Sequence, residues 1–122
     1  IGTYRSRDEP LSQLTWHLRQ FINPEKDTLI VGDVNICATK KNDLGNFLQQ
    51  EGFCQLVTLP THIGGGIHFL NCQFLHLQNI ALSGVIDQAH HRPSANQTTV
   101  AVSTFSHYFS DHDSVTCIVT GQ

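Results

Sequence analysis

Three stretches of this sequence run from apolar or β-branched residues straight into, or close upon, a polar cluster built on aspartate: Gly32-Asp33-Val34-Asn35, Val85-Ile86-Asp87-Gln88 and Phe109-Ser110-Asp111-His112-Asp113. This repeated join constrains the fold, because open α/β sheets collect their functional side chains where strands give way to loops. The first join is the sharpest: Leu29-Ile30-Val31 reads as a short buried strand and stops abruptly at Gly32. The third cluster is flanked by β-branched stretches at 98–105 and 114–120, which read as two strands.

Helical periods fill the earlier part of the chain. Leu11, Leu14, Leu18, Phe21 and Ile22 form one apolar stripe, started by Asp8-Glu9-Pro10, with a capping carboxylate and an acid in the first turn, and stopped by Asn23-Pro24. A second helix is expected over 42–50, with Leu44, Phe47 and Leu48 inside and Gly52 as a left-handed stop. Residues 1–5 and 53–56 suit short strands, while 64–84 follows neither period and reads as weak strand. Helices and strands alternate early and strands dominate late, which predicts a layered α/β sandwich with a mixed sheet.

The composition narrows the function classes. The 122 residues are 39% hydrophobic and 14% charged, enough for one globular domain, and no apolar run approaches the roughly 20 residues of a membrane-spanning helix. Seven Lys plus Arg against ten Asp plus Glu give a net charge of −3, which is not the basic footprint of a protein held to nucleic acid by charge alone. Contact with a phosphate backbone would therefore need a divalent cation or a basic partner. Cys37, Cys54, Cys72 and Cys117 are widely spaced, giving neither a zinc motif nor a disulfide framework. Sparse cysteine and the lack of a charged-then-apolar leader favour an intracellular setting, the nucleus included should DNA be the substrate.

The clusters suit one kind of chemistry. In extended backbone Asp33 and Asn35 would point to the same side and reach one ligand. Asp111 and His112 would point to opposite sides, so an acid from elsewhere should orient His112, and Asp87 is the natural candidate. Phosphodiester hydrolysis needs an aligned or deprotonated water and a counter to the charge growing on the phosphoryl oxygens; carboxylates that hold Mg²⁺ and a donating His supply both. Each cluster alone is matched by the ordinary use of Asp as a turn or cap residue.

Taken in order, Tyr4-Arg5, Gly32-Asp33-Val34-Asn35, Ile86-Asp87 and Ser110-Asp111-His112 resemble the endonuclease/exonuclease/phosphatase superfamily. Gly52-Phe53-Cys54-Gln55-Leu56-Val57 with Pro60-Thr61-His62, and Tyr108-Phe109-Ser110-Asp111-His112-Asp113, are similar to the endonuclease-like domains of mobile elements and helitron helicases. The resemblance spans nearly all of 1–122 but only the C-terminal half of the family's four-layer α/β domain. It implies a Mg²⁺- or Mn²⁺-dependent phosphodiesterase acting on DNA. In it His112 contacts the scissile phosphate, Asp87 orients His112, and Asp33 positions the attacking water with Asn35 beside it. Asp111 helps hold the metal and Tyr4 touches the phosphate.

The chain departs from the family in two places. The family's N-terminal half, with its metal-binding Glu and an Asn, has no counterpart here, so the resemblance casts that half as a missing partner and a chain of this extent as weak or inactive alone. Family members also run from a Thr-His turn and a Gly pair almost directly into Ile-Asp, whereas 66–84 intervene and read as an insertion. A rival alignment would make Asn71 the lost acid; Asp87 keeps the acid and a family-like distance to Ser110-Asp111-His112. Two other functions share the pattern: a non-catalytic remnant that binds a partner, and a phosphatase on a small or lipid phosphate. The eight histidines show no HxH or HxxxH pair and read as surface or core. Trp16 and the phenylalanines read as core rather than a base-stacking platform. Arg5, Arg7, Lys40, Lys41 and Arg92 could touch phosphate or simply face solvent, and Asn96-Gln97-Thr98 is a chance sequon.

Overall fold

The computed structural model describes residues 1–63, 83–94, 98–107 and 110–121. The inferred insertion lies outside the described residues except for its last two, as do Asn71, Phe109 and the Asn of the sequon.

Local sequence accounts for both helices. Helix α2 (Asp43–Gln50) begins where the Asn42 side chain accepts a hydrogen bond from the Gly45 N–H, and it buries Leu44, Phe47 and Leu48. It ends before Gly52, whose φ of +88° only glycine adopts readily. Helix α1 (Leu11–Phe21) buries Leu14 and Leu18. Its start corrects the expected acidic cap: Pro10 itself is the cap residue, no side chain caps the helix, and the first turn holds no acid. Trp16 and Phe21 are more than half exposed, so the aromatic residues divide, with Phe47 and Phe53 in the core and these two outside it.

Strands β1 (Gly2–Tyr4), β2 (Thr28–Asp33), β3 (Cys54–Gln55) and β6 (Asp87–Arg92) form a mixed sheet in the order β1-β2-β6-β3, with β1 parallel to β2 and both other pairings antiparallel. Strands β4 (His62–Ile63) and β5 (Ser83–Gly84) make a small antiparallel pair, and β7 (Thr99–Phe105) and β8 (Ser114–Thr120) another. The architecture is mixed α/β with a mixed sheet, as the sequence pattern predicts. Strand β6 was not expected: Asp87 opens a strand rather than closing one.

Alternation along β2 sends its neighbours to opposite layers. Ile30 joins Leu14, Leu18, Leu44 and Leu48 in a core under the helices. Leu29 and Val31 face the other way, toward Val57, Val85 and Ala89 and the β7–β8 residues Val102, Val115 and Cys117. Each fully buried leucine in the first core contributes about 1.5–3 kcal/mol of apolar burial. Only glycine fits at position 32, where φ is +157° and a Cβ would stand 1.7 Å from the Thr3 carbonyl oxygen on β1. No helix among the described residues is long and apolar enough to cross a membrane.

Candidate active site

The last rung of the β2–β6 ladder sets Asp33 opposite Asp87, and the neighbouring β1–β2 rung sets Tyr4 opposite Asp33. Paired residues share a face, so these three form a row across the sheet on the side covered by β7–β8. The loop from β7 to β8 brings His112 to that row. Its Nδ1 lies 2.8 Å from Asp87 Oδ2 and its Nε2 lies 4.0 Å from Asp33 Oδ2. An ionised carboxylate only accepts, so Nδ1–H donates to Asp87 and Nε2 is left to face Asp33.

Backbone contacts fix the loop. His112 bridges to His62, the Asp113 N–H donates to the Thr61 carbonyl at 2.7 Å, and the His112 N–H donates to Ser110 Oγ at 3.1 Å. Thr61, fully buried, also accepts from the Asp87 N–H through its hydroxyl at 3.0 Å. Thr61, which the motif pattern assigns no role, ties both ends of the His112–Asp87 pair to one residue.

On the other side, Asp33 Oδ1 accepts from the Asn35 N–H at 3.0 Å. Asn35 has φ of +51°, a left-handed conformation that Asn tolerates. This corrects the extended arrangement expected for Asp33 and Asn35: the contact is made by backbone, while the Asn35 side-chain amide donates to the Arg5 carbonyl at 2.6 Å. Arg5 likewise is no phosphate contact. It is buried and donates to the carbonyls of Val34 at 3.0 Å and Glu9 at 2.8 Å, holding the loop that carries Asp33 and Asn35. Arg92 is also structural, stacked 4.9 Å over the Phe53 ring and donating to the Asn23 and Glu51 carbonyls. Lys40 and Lys41 border a cleft of about 490 Å³ that also includes His90, away from this row.

The groups perturb one another. Burial raises the Asp33 carboxyl above its ordinary range, the Asn35 N–H pulls it down, and the Asp87 charge adds to the rise. For His112 burial works downward, but the hydrogen bond to Asp87 and the charges of Asp87, Asp33 and Asp111 outweigh it and raise the imidazole. Both groups are thus shifted by burial and by each other, a pattern common where side chains exchange protons with a ligand. A cleft of about 270 Å³ opens beside Asp33 and Asp87.

Asp111 stands at the exposed edge, its Oδ2 3.1 Å from His62 Nε2, and the His62 and His112 rings lie 4.8 Å apart. Slight burial acts against it, yet contact with His62 lowers the Asp111 carboxyl. His62 thus belongs to the site, contrary to its reading as one more surface or core histidine; its place in Pro60-Thr61-His62 was the available signal. Tyr4 occupies the row but is 67% exposed. Among the described residues two donor groups could hold a cation, Asp33 with Asp87 and His112, and His62 with Asp111 and His112. Magnesium takes oxygen ligands, using one or two carboxylates plus substrate phosphate, so the first group suits it. The second, with two imidazoles to one carboxylate, is the poorer match for Mg²⁺.

No protein-family model, curated protein or solved structure matches this chain.

Proposed function

We propose that the chain carries the hydrolytic apparatus of a Mg²⁺-dependent phosphodiesterase of the endonuclease/exonuclease/phosphatase type, acting on DNA. The observation that carries this reading is the Asp87–His112–Asp33 line, in which one imidazole is oriented at Nδ1 and open at Nε2 toward a second carboxylate. An oxygen about 2.8 Å from each group fits between His112 Nε2 and Asp33 Oδ2. In the proposed step Asp33 takes a proton from the attacking water as the water oxygen bonds to phosphorus. The bond from phosphorus to the leaving oxygen breaks, and that oxygen takes a proton from solvent. Protonated His112 donates from Nε2 to a phosphoryl oxygen, and Asp87 holds the ring. Bound at Asp33 and Asp87, Mg²⁺ would neutralise charge on the phosphoryl oxygens.

The reading also includes the family's four-layer architecture, with an upstream half that supplies further metal and substrate contacts, and treats 66–84 as inserted sequence. Its last two residues, Ser83 and Gly84, pair with Ile63 and His62 in β4–β5, which brings its end beside the strand that precedes it.

The test is Mg²⁺-dependent nicking of supercoiled plasmid by this chain, by the chain extended upstream to a full domain, and by the extended His112→Ala variant. Nicking by the extended protein that falls on the order of 10³-fold in the variant supports the reading. Unchanged nicking in the variant refutes the role of His112, and folded but inactive proteins favour the phosphatase or remnant alternatives.

A further inference from the structure

We propose that His62, Asp111 and His112 form a binding site for a divalent transition metal, with Zn²⁺ the best match. Their donor atoms lie within 4.8 Å of one another. His62 Nε2 and Asp111 Oδ2 are already 3.1 Å apart, close to the roughly 3.3 Å between two ligands of a tetrahedral zinc with bonds near 2.0–2.1 Å. Two imidazoles and a carboxylate are the borderline donors that zinc prefers and magnesium does not.

The surroundings are built as a zinc site needs them. Zinc-bound histidines ordinarily donate their other ring N–H to a carboxylate, which fixes the tautomer, and Asp87 does this for His112 at Nδ1. The metal-facing atom of His112 is then Nε2. The backbone bridge between His62 and His112 holds the two rings at 4.8 Å before any metal arrives. The Asp111 side chain is 55% exposed, giving the ion an entry path and leaving the fourth position to water. The consequence for hydrolysis rests on the function proposed above: zinc on Nε2 occupies the atom that would donate to phosphate, so Zn²⁺ inhibits where Mg²⁺ supports.

Zinc uptake by the full chain can be read by competition with a chromogenic chelator, using Zn²⁺ alone and no substrate. The proposal expects a single tight site, weakened about tenfold or more in His62→Ala and in Asp111→Asn, and unchanged in His17→Ala, whose side chain is exposed on α1. Circular dichroism checks each fold, and Asp111, being exposed, gives a variant that keeps it. Absence of zinc uptake, or undiminished uptake by folded Asp111→Asn, overturns the site. Because no substrate is present, zinc retained without nicking refutes only the hydrolytic reading, and nicking without zinc refutes only this one.

Discussion

Two histidine–aspartate pairs sit on the same face of the same β2–β6 ladder, one towards each end, about 13 Å apart along β6 from Asp87 to His91 at the strand rise per residue. Both have a nitrogen-to-oxygen distance of 2.8 Å. At one end His91 also meets Thr98 Oγ1 at 3.3 Å, and Asp27 accepts from the Thr98 N–H at 3.2 Å, from the Thr98 hydroxyl and from the Ser94 N–H. The Thr98 hydroxyl does most to bring the Asp27 carboxyl down to about 2, against the pull of burial and with help from His91. That pair is a latch joining the starts of β2 and β7 to the end of β6, and its imidazole is 9% exposed. At the other end the His112 imidazole is 34% exposed and turns Nε2 toward a second carboxylate. The distance within a pair therefore says nothing of its role. What separates a latch from a reactive pair is whether the second nitrogen is left facing a reactant.

This contrast can be broken from either end. The largest effect is expected from His112→Ala, which should cut nicking on the order of 10³-fold, while His91→Ala leaves the rate intact below its melting temperature. Next, His91→Ala should lower the urea midpoint of unfolding, because it removes a buried ring together with its bonds to the part-buried Asp27 and Thr98. His112→Ala should cost clearly less, its ring being partly exposed. A His91→Ala variant as stable as wild type would remove the latch from the account.

The smallest effect is the pH dependence of stability, and the two pairs act on opposite limbs. The folded-state Asp27 carboxyl lies at about 2 against an ordinary 3.8, so its contribution is present above 3.8 and is lost as pH falls toward 2. The His112 imidazole is raised above 6.5, so its contribution is present below 6.5 and is lost as pH rises through the raised value. Urea midpoints measured across pH should show Asp27→Asn flattening the acid limb and His112→Ala flattening the limb near neutrality. Swapped effects would reverse the assignment.

How much of this was legible in the sequence depended on whether the cause was local. Helix α2 was, because Asn42, the Leu44-Phe47-Leu48 stripe and Gly52 carry start, face and stop within eleven residues. Strands β7 and β8 were, since β-branched alternation is a local signal. Strand β6 was not, although it lies inside the sheet. Four of its consecutive residues, Gln88, Ala89, His90 and His91, are buried, and three of them are polar. Their partners lie far off in sequence: Gln88 donates to the Ile36 carbonyl, and His91 meets Asp27. His90 donates to Gln88 and is pushed down to about 4 by burial, staying neutral. Hydropathy cannot see such satisfaction. The same limit hid Arg5, whose charge suggested a phosphate contact while its bonds go to backbone carbonyls. His112 with Asp87 and Asp33 was reached through the order of motifs, whereas His62 was missed because its partner Asp111 lies 49 residues away.

The central claim is that the open pair is a hydrolytic site assembled at some cost to the fold, and Asp33→Asn tests it most directly. Asp33 is raised chiefly by burial, so its carboxyl favours folding below 3.8, and that help is lost as pH rises through the raised value. Above that value the ionised group therefore works against the fold. A neutral amide that keeps the acceptor for the Asn35 N–H relieves it. Asp33→Asn is expected to melt at a higher temperature than wild type at pH 7 while nicking by the extended protein is abolished. A variant that nicks normally, or one that loses stability along with activity, would contradict it.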